Sequence, residues 1–205
     1  MLSHAFTTPI LRESTDLQPA QLAEIAAYLL RIRGQSAGES RSNRGGWHSS
    51  GNLFDAREHQ EFPEMKAAVT RALLRYIGEA FGYRGEIKLA LTGWCVINGP
   101  GDYNAPHNHA PSLLSGALYI SVPRGMNGGD IVFQDPRLSL NACETPAMIR
   151  VGIAPPWMKI SLNVTPVAGE IVVFPSWLSH YVEPYGGAEE SVARIVVSIN
   201  ATVAA

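Results

Sequence analysis

The chain is short of charge, short of cysteine and free of long apolar runs, and each shortage removes a class of function. Lys and Arg number 16 and Asp and Glu 18 in 205 residues, together 17%, for a net charge of −2. The basic residues form no block, so neither nucleic acid nor an anionic membrane surface is an expected partner, since both are drawn by concentrated positive charge. No apolar run approaches the roughly 18 residues of a membrane-spanning helix. The opening MLSHAFTTPILREST has neither the basic start nor the apolar stretch of a secretory signal. The two cysteines, Cys95 and Cys143, lack CxxC spacing, which removes a thiol zinc site or redox pair. Reduced core thiols in a cytoplasmic protein are the expectation, with a disulfide the lesser reading.

What is present is apolar and orderly. Hydrophobic residues make up 46% of the chain, enough for one packed domain over residues 1–205. The first 84 residues read as a helical support. Leu22, Ile25, Ala26, Leu29 and Leu30 mark one stripe of a helix over Leu17–Arg33, ended by Gly34. Pro63 opens a second helix that runs to about Phe81 and buries Met65, Val69, Leu73 and Tyr76, with Gly82 closing it. Between them, Asn43–Phe54 is rich in Gly, Ser and Asn and reads as a loop or irregular arm. From residue 85 on, short β-rich runs replace helix: IKLALTGWCVI, LLSGALYISV, DIVF, EIVVF and RIVVSI. Gly and Pro punctuate them, and no helical stretch intervenes, which predicts a β-sandwich or barrel with the helices packed on one face. The tail from Asn200 is expected to fray.

Three of the six histidines stand out. His107 and His109 form an His-x-His pair, which in extended chain points two imidazoles the same way. His180 follows the apolar run EIVVF and the turn dipeptide Pro175-Ser176. Two ligands on one segment and a third on a distant one is a metal-binding pattern, and imidazole suits iron, zinc and copper alike. His4, His48 and His59 read as surface or hydrogen-bonded residues. Arg194 opens the apolar run RIVVSIN. A guanidinium buried there needs an anion, because an unpaired buried charge is costly. Its partner is either a protein carboxylate (Glu183, Glu189 or Glu190) or the carboxylate of a small diacid, which the planar fork fits.

Taken together, GDYNAPHNHAPSLLSGALYISVP, GGDIVFQDPR, GEIVVFPSWLSHYVEP and ARIVVSIN, with SNRGGWHSS upstream, resemble the 2-oxoglutarate/Fe(II)-dependent oxygenases of bacterial and phage type. The resemblance runs from about Asn43 to Asn200. It implies a mostly β, α+β chain whose core is a double-stranded β-helix with helices on one face. It implies an oxidoreductase that uses Fe(II) and 2-oxoglutarate, releases succinate and CO2, and hydroxylates a small molecule or peptide. His107 and His180 would be iron ligands, Arg194 would bind the distal carboxylate of 2-oxoglutarate, and Tyr119 would donate its hydroxyl to the same carboxylate. Tyr119 could equally be a core aromatic. Enzymes of this size and fold are often homodimers.

The wider superfamily carries a carboxylate where this chain has His109. Either His109 ligates, or Asp130 or Asp135 completes the set, or water does; spacing favours His109. Trp47, Trp94 and Trp177 are candidate pocket walls, and Asn104, Asn108 and Ser112 candidate hydrogen-bond partners of the ligands. Arg137 reads as half of a turn-stabilising ion pair. Two rivals stand beside this reading. A cupin would share the fold, and Gly101, His107, His109, Gly169, Pro175 and His180 fit its spacing, but Ser112 and Leu113 stand where its glutamate belongs. A non-catalytic β-sandwich binding protein is the other.

Overall fold

The computed structural model describes residues 6–55, 57–59, 62–137, 150–152, 160–187 and 193–204. In chain order the elements are β1 (Leu11–Ser14), α1 (Pro19–Arg33), β2 (Asn43–Arg44), β3 (Trp47–His48), α2 (Pro63–Ala80), β4 (Leu89–Asn98), β5 (Tyr103–His107), β6 (Leu114–Ser121), β7 (Asn127–Gly128), β8 (Ile131–Gln134), β9 (Ser161–Val164), β10 (Glu170–Pro175), β11 (His180–Val182), β12 (Tyr185–Gly186) and β13 (Arg194–Val203). A larger antiparallel sheet runs β1-β10-β6-β13-β4-β3 and a smaller one β2-β5-β11-β8-β9. The chain alternates between them: β4, β6, β10 and β13 lie in the larger sheet, β5, β8, β9 and β11 in the smaller. That interleaving is a double-stranded β-helix.

The two-residue period of the strands decides what faces what. On β13, Ile195, Val197, Ile199 and Ala201 point to the helices and join Cys95, Ile97, Leu118 and Val173 in the main core. The alternate residues Arg194, Val196, Ser198 and Asn200 point between the sheets and line a cavity. Against that core α1 lies over β6 and α2 against β10. α1 buries Ile25, Tyr28 and Leu29, while Leu30, expected on the buried stripe, is 45% exposed. Tyr28 takes the inward place because residues three and four apart share a helical face. α2 starts at Pro63, whose missing N–H costs nothing in a first turn, and buries Met65, Val69, Leu73 and Tyr76 as expected. Between the sheets, Val172, Phe174 and Val196 meet Ile131, Phe133 and Val164, with the Phe133 and Phe174 rings 4.8 Å apart, edge to face.

Two findings depart from the sequence expectations. The first 84 residues supply strands as well as helices: β1 extends the larger sheet beyond β10, and β2 and β3 stitch the Gly/Ser-rich arm to β5 and β4. Asn43 holds that arm, its amide donating to the carbonyl of Gly46 at 3.1 Å while its oxygen accepts from the N–H of Arg41 at 2.7 Å. The tail does not fray at Asn200: β13 stays paired with β4 through Thr202↔Ala90 and Val203↔Leu89, and the N–H of Ala204 donates to Lys88. Backbone pairing continues there because β4 is long enough to meet it, whatever the side chains. Cys95 is buried as a free thiol whose pKa burial pushes up; Cys143 lies outside the described residues.

Candidate active site

The cavity between the sheets has a volume of about 600 Å³. Its floor is the larger sheet, and the strand register sets it out in rows. Tyr119, Val196, Val96 and His48 form one row, and Ala117, Ser198 and Trp94 the next. Arg194 lies at one end of β13 and Asn200 six residues along it, about 20 Å away at a strand's rise of roughly 3.3 Å per residue. Asn200 is held by Ser115, whose hydroxyl donates to its side-chain oxygen at 2.8 Å.

The smaller sheet brings the histidines. His107 ends β5 and His180 begins β11, directly opposite each other in register. His109 is not on the strand, as the His-x-His spacing suggested, but just beyond it. Its N–H donates to the carbonyl of Ser176 at 2.8 Å and its carbonyl accepts from Ser112 at 3.1 Å, so the turn before β11 carries both His180 and the anchor for His109. The three rings meet with centroids 4.8 Å (His107–His109), 4.4 Å (His107–His180) and 5.1 Å (His109–His180) apart. One nitrogen from each lies within 4.8 Å of the others.

Their tautomers are set by the backbone. The carbonyl of Ala105 lies 2.7 Å from Nδ1 of His107, and that of Leu178 lies 2.9 Å from Nδ1 of His180. A carbonyl can only accept, so both Nδ1 atoms carry hydrogen and both Nε2 lone pairs stay available. Burial, with neighbouring imidazoles adding to it, lowers the pKa of His180 to about 4 and of His109 to about 3. Burial also lowers that of His107, against the Ala105 hydrogen bond. At neutral pH the cluster is uncharged, with one nitrogen of each ring within 4.8 Å of the others, a donor set a divalent first-row metal takes.

Neither carboxylate alternative joins this cluster, in which the described residues place no Asp or Glu. Asp135 is bound by the Arg137 guanidinium at 2.5 Å, the turn ion pair expected for Arg137, which holds its carboxyl below the usual range. Asp130 stands at the head of β8, within electrostatic reach of Arg194 and Tyr119.

The other end of the cavity holds Arg194 and Tyr119. Arg194 is 2% exposed, and its Nε has no hydrogen-bond partner among the described residues. No described carboxylate forms an ion pair with it; Glu189 and Glu190 lie outside the described residues. The Tyr119 hydroxyl, fully buried, is likewise unpartnered, and the Arg194 guanidinium carbon stands 5.4 Å from the Tyr119 ring centre. Burial raises the phenol pKa while Arg194 pulls it down, so Tyr119 keeps its proton and is a donor. Two unpaired donors buried side by side are costly unless a ligand satisfies both. A small dicarboxylate has the matching acceptors.

Of the expected walls, Trp94 lines the cavity, whereas Trp47 is packed in the core with its N–H on the carbonyl of Ser36 at 2.9 Å. Trp177 is 51% exposed and lies in a separate groove with Ser112; it points outward because the turn spends its inward position on Leu178, which is buried between the sheets. Asn104 and Asn108 do line the cavity. His48 is a residue whose place sequence reasoning missed. It is hydrogen-bonded, Nδ1 to the carbonyl of Ser49 at 2.7 Å, but it also lines the cavity and stacks on Trp94 with centroids 5.8 Å apart. Its signal was the company of Trp47 and two glycines in an arm that had to pack on something. Ser42 was missed too, and no pattern in the sequence marks it. His59 meets the Tyr28 hydroxyl at 3.4 Å, outside the cavity; His4 lies outside the described residues.

No curated protein matches the chain in sequence. Among solved structures it is similar to a prolyl-4-hydroxylase of Pseudomonas putida (16% identity, 97% of this chain and 95% of that one, TM-score 0.62). It is also similar to a Trichoplax adhaerens prolyl hydroxylase in complex with a hypoxia-inducible-factor peptide fragment (15%, 96% and 84%, TM-score 0.65). A third is HygX of Streptomyces hygroscopicus with nickel and 2-oxoglutarate bound (13%, 96% and 83%, TM-score 0.57). At these identities the likeness shows the fold. The 2OG-Fe(II) oxygenase family profile matches residues 92–200, more than half the chain, from within β4 to within β13. The chain therefore belongs to the 2OG-Fe(II) oxygenase family: it is an oxidoreductase whose cofactors are Fe(II) and 2-oxoglutarate.

Proposed function

We propose that His107, His109 and His180 hold the iron, and that Arg194 and Tyr119 bind the distal carboxylate of 2-oxoglutarate. One observation carries this: a cluster of three neutral imidazoles and a pair of unsatisfied buried donors share one cavity. When bound, Fe(II) and 2-oxoglutarate supply the oxidant for a C–H bond, with succinate and CO2 as co-products. The chain's own residues do the rest. The backbone carbonyls of Ala105 and Leu178 keep His107 and His180 in the ligating tautomer. Arg194 and Tyr119 fix one end of the cosubstrate, and Phe133, Phe174 and Val196 keep the inner wall dry.

The substrate enters at the other end, past Trp94 and His48. Glu39 and Arg41 stand at that mouth and pair with each other at 2.7 Å, so neither presents a free charge to the incoming molecule. A neutral polar group fits such a wall. Hydroxylation of a peptide or small molecule is the proposed reaction, and a peptide is the first class to assay, given the peptide-bound neighbour. We place the protein in the cytoplasm as a single oxygenase domain over residues 1–205, consistent with the reduced Cys95. For the proposed homodimer, sedimentation at twice 22.2 kDa is the expected outcome.

The test is anaerobic loading followed by metal analysis and 2-oxoglutarate titration. Wild type should hold one iron and bind 2-oxoglutarate. His107→Ala should lose the iron, and Arg194→Ala should keep it while losing the cosubstrate. Equal loss of iron and cosubstrate in Arg194→Ala would refute the division of roles.

A further inference from the structure

A chain of amide and hydroxyl groups runs from the floor of the cavity to His107. The Asn98 amide, fully buried, donates to the Asn104 side-chain oxygen at 3.3 Å. The Asn104 amide, 6% exposed, donates to the Ser42 hydroxyl oxygen at 3.2 Å. Ser42 Oγ lies 3.5 Å from Nε2 of His107. Ser42 is not free to drift: its carbonyl accepts from the N–H of Ala105 at 2.8 Å, and the next residue, Asn43, pairs with Asn104. Asn98 is equally fixed, with its carbonyl accepting from the Tyr185 hydroxyl at 2.8 Å. Gly46, at φ +43°, passes so close that a Cβ there would stand 2.3 Å from Asn98 Oδ1.

The direction of the chain follows from its donors. Because the Asn104 amide occupies a lone pair of Ser42 Oγ, the Ser42 proton points away from Asn104. Its neighbour there is Nε2 of His107, an acceptor because Nδ1 already donates to Ala105. A metal on His107 takes that lone pair, and the Ser42 proton must then find another acceptor beside it. We propose that Ser42, polarised by Asn104 and Asn98, donates a hydrogen bond to the oxygen ligand bound next to His107. That ligand is a carboxylate oxygen of 2-oxoglutarate, or water in its absence. Ser42 is thus a positioning residue for the cosubstrate. The inference rests on His107 being a ligand.

Cobalt(II)-loaded protein tests it without turnover, by its visible absorption spectrum and by calorimetric titration of 2-oxoglutarate. Ser42→Ala should hold as much cobalt as wild type, shift the spectrum both with and without 2-oxoglutarate, and bind 2-oxoglutarate about tenfold more weakly, the scale of one charge-assisted hydrogen bond. Ser42→Thr, which keeps the hydroxyl, should restore both readouts. Asn104→Asp should mimic Ser42→Ala, because a carboxylate there draws the Ser42 proton back to itself. Wild-type affinity and spectrum in Ser42→Ala would overturn the proposal, as would a loss in Ser42→Thr equal to that in Ser42→Ala. Wild-type protein that takes up no cobalt would overturn the three-histidine site, and this inference with it.

Discussion

Acid should unfold the metal-free protein in a window set by its histidines. His180 has an ordinary pKa of 6.5 that burial lowers to about 4 in the fold. A depressed folded pKa means that between those values the unfolded chain binds a proton the folded chain refuses. Stability is then full above about pH 6.5 and is lost as pH falls through the window. Between about pH 7.5 and about pH 5, His180 alone accounts for a loss of about 2 kcal/mol. His109, lowered to about 3, acts in the same direction but not additively, since the two rings repel each other's protons. Asp55, held down by Arg57 to about 2, releases its contribution at lower pH, below this window. Urea denaturation in the presence of a chelator, at several pH values across the window, measures the slope. His180→Gln should flatten it, and saturating metal should steepen it and add stability at pH 7, because ligation needs the neutral rings. Identical slopes for wild type and His180→Gln would show that His180 titrates normally in the fold, and the buried neutral cluster would have to be abandoned.

Three further outcomes are expected. Arg194→Met should raise the thermal midpoint of the protein without 2-oxoglutarate, since it replaces an under-paired buried guanidinium by an apolar chain (about 1 kcal/mol or more), while abolishing the midpoint shift that 2-oxoglutarate gives wild type; a lower midpoint would mean Arg194 is already satisfied. His109→Ala should lower metal affinity at least about tenfold by equilibrium dialysis, and unchanged affinity would exclude His109 as the third ligand. Ile199→Ala, on the helix-facing side of β13 and 1% exposed, should cost about 3 kcal/mol in chemical denaturation, whereas Val203→Ala, 56% exposed, should stay within about 0.5 kcal/mol.

Strands and helices with strong patterns were legible before any coordinates. Alternation over RIVVSIN fixes which side chains of β13 face the helices and which face the cavity, and Pro63 and the apolar stripe behind it define α2. The short strands β5, β9 and β11 were not, because too few residues carry a period and their pairing is set by partners far along the chain. Leu30 and Tyr28 traded places for the same reason: a helix announces its stripe, but its neighbours choose the exact edge.

By itself the sequence determined the residue types of the site and the family that shares them: His107, His109, His180 and Arg194 carry their chemistry wherever they sit. Only the tertiary structure decided that His109 reaches the cluster from beyond a strand, that Trp177 faces outward and Trp94 inward, and that Ser42, Asn104 and Asn98 line up toward His107. Those placements depend on strand pairings and on a loop held across the sheet edge, and contacts such as Ser42–Asn104 and His109–Ser176, more than sixty positions apart, leave no local pattern in a chain.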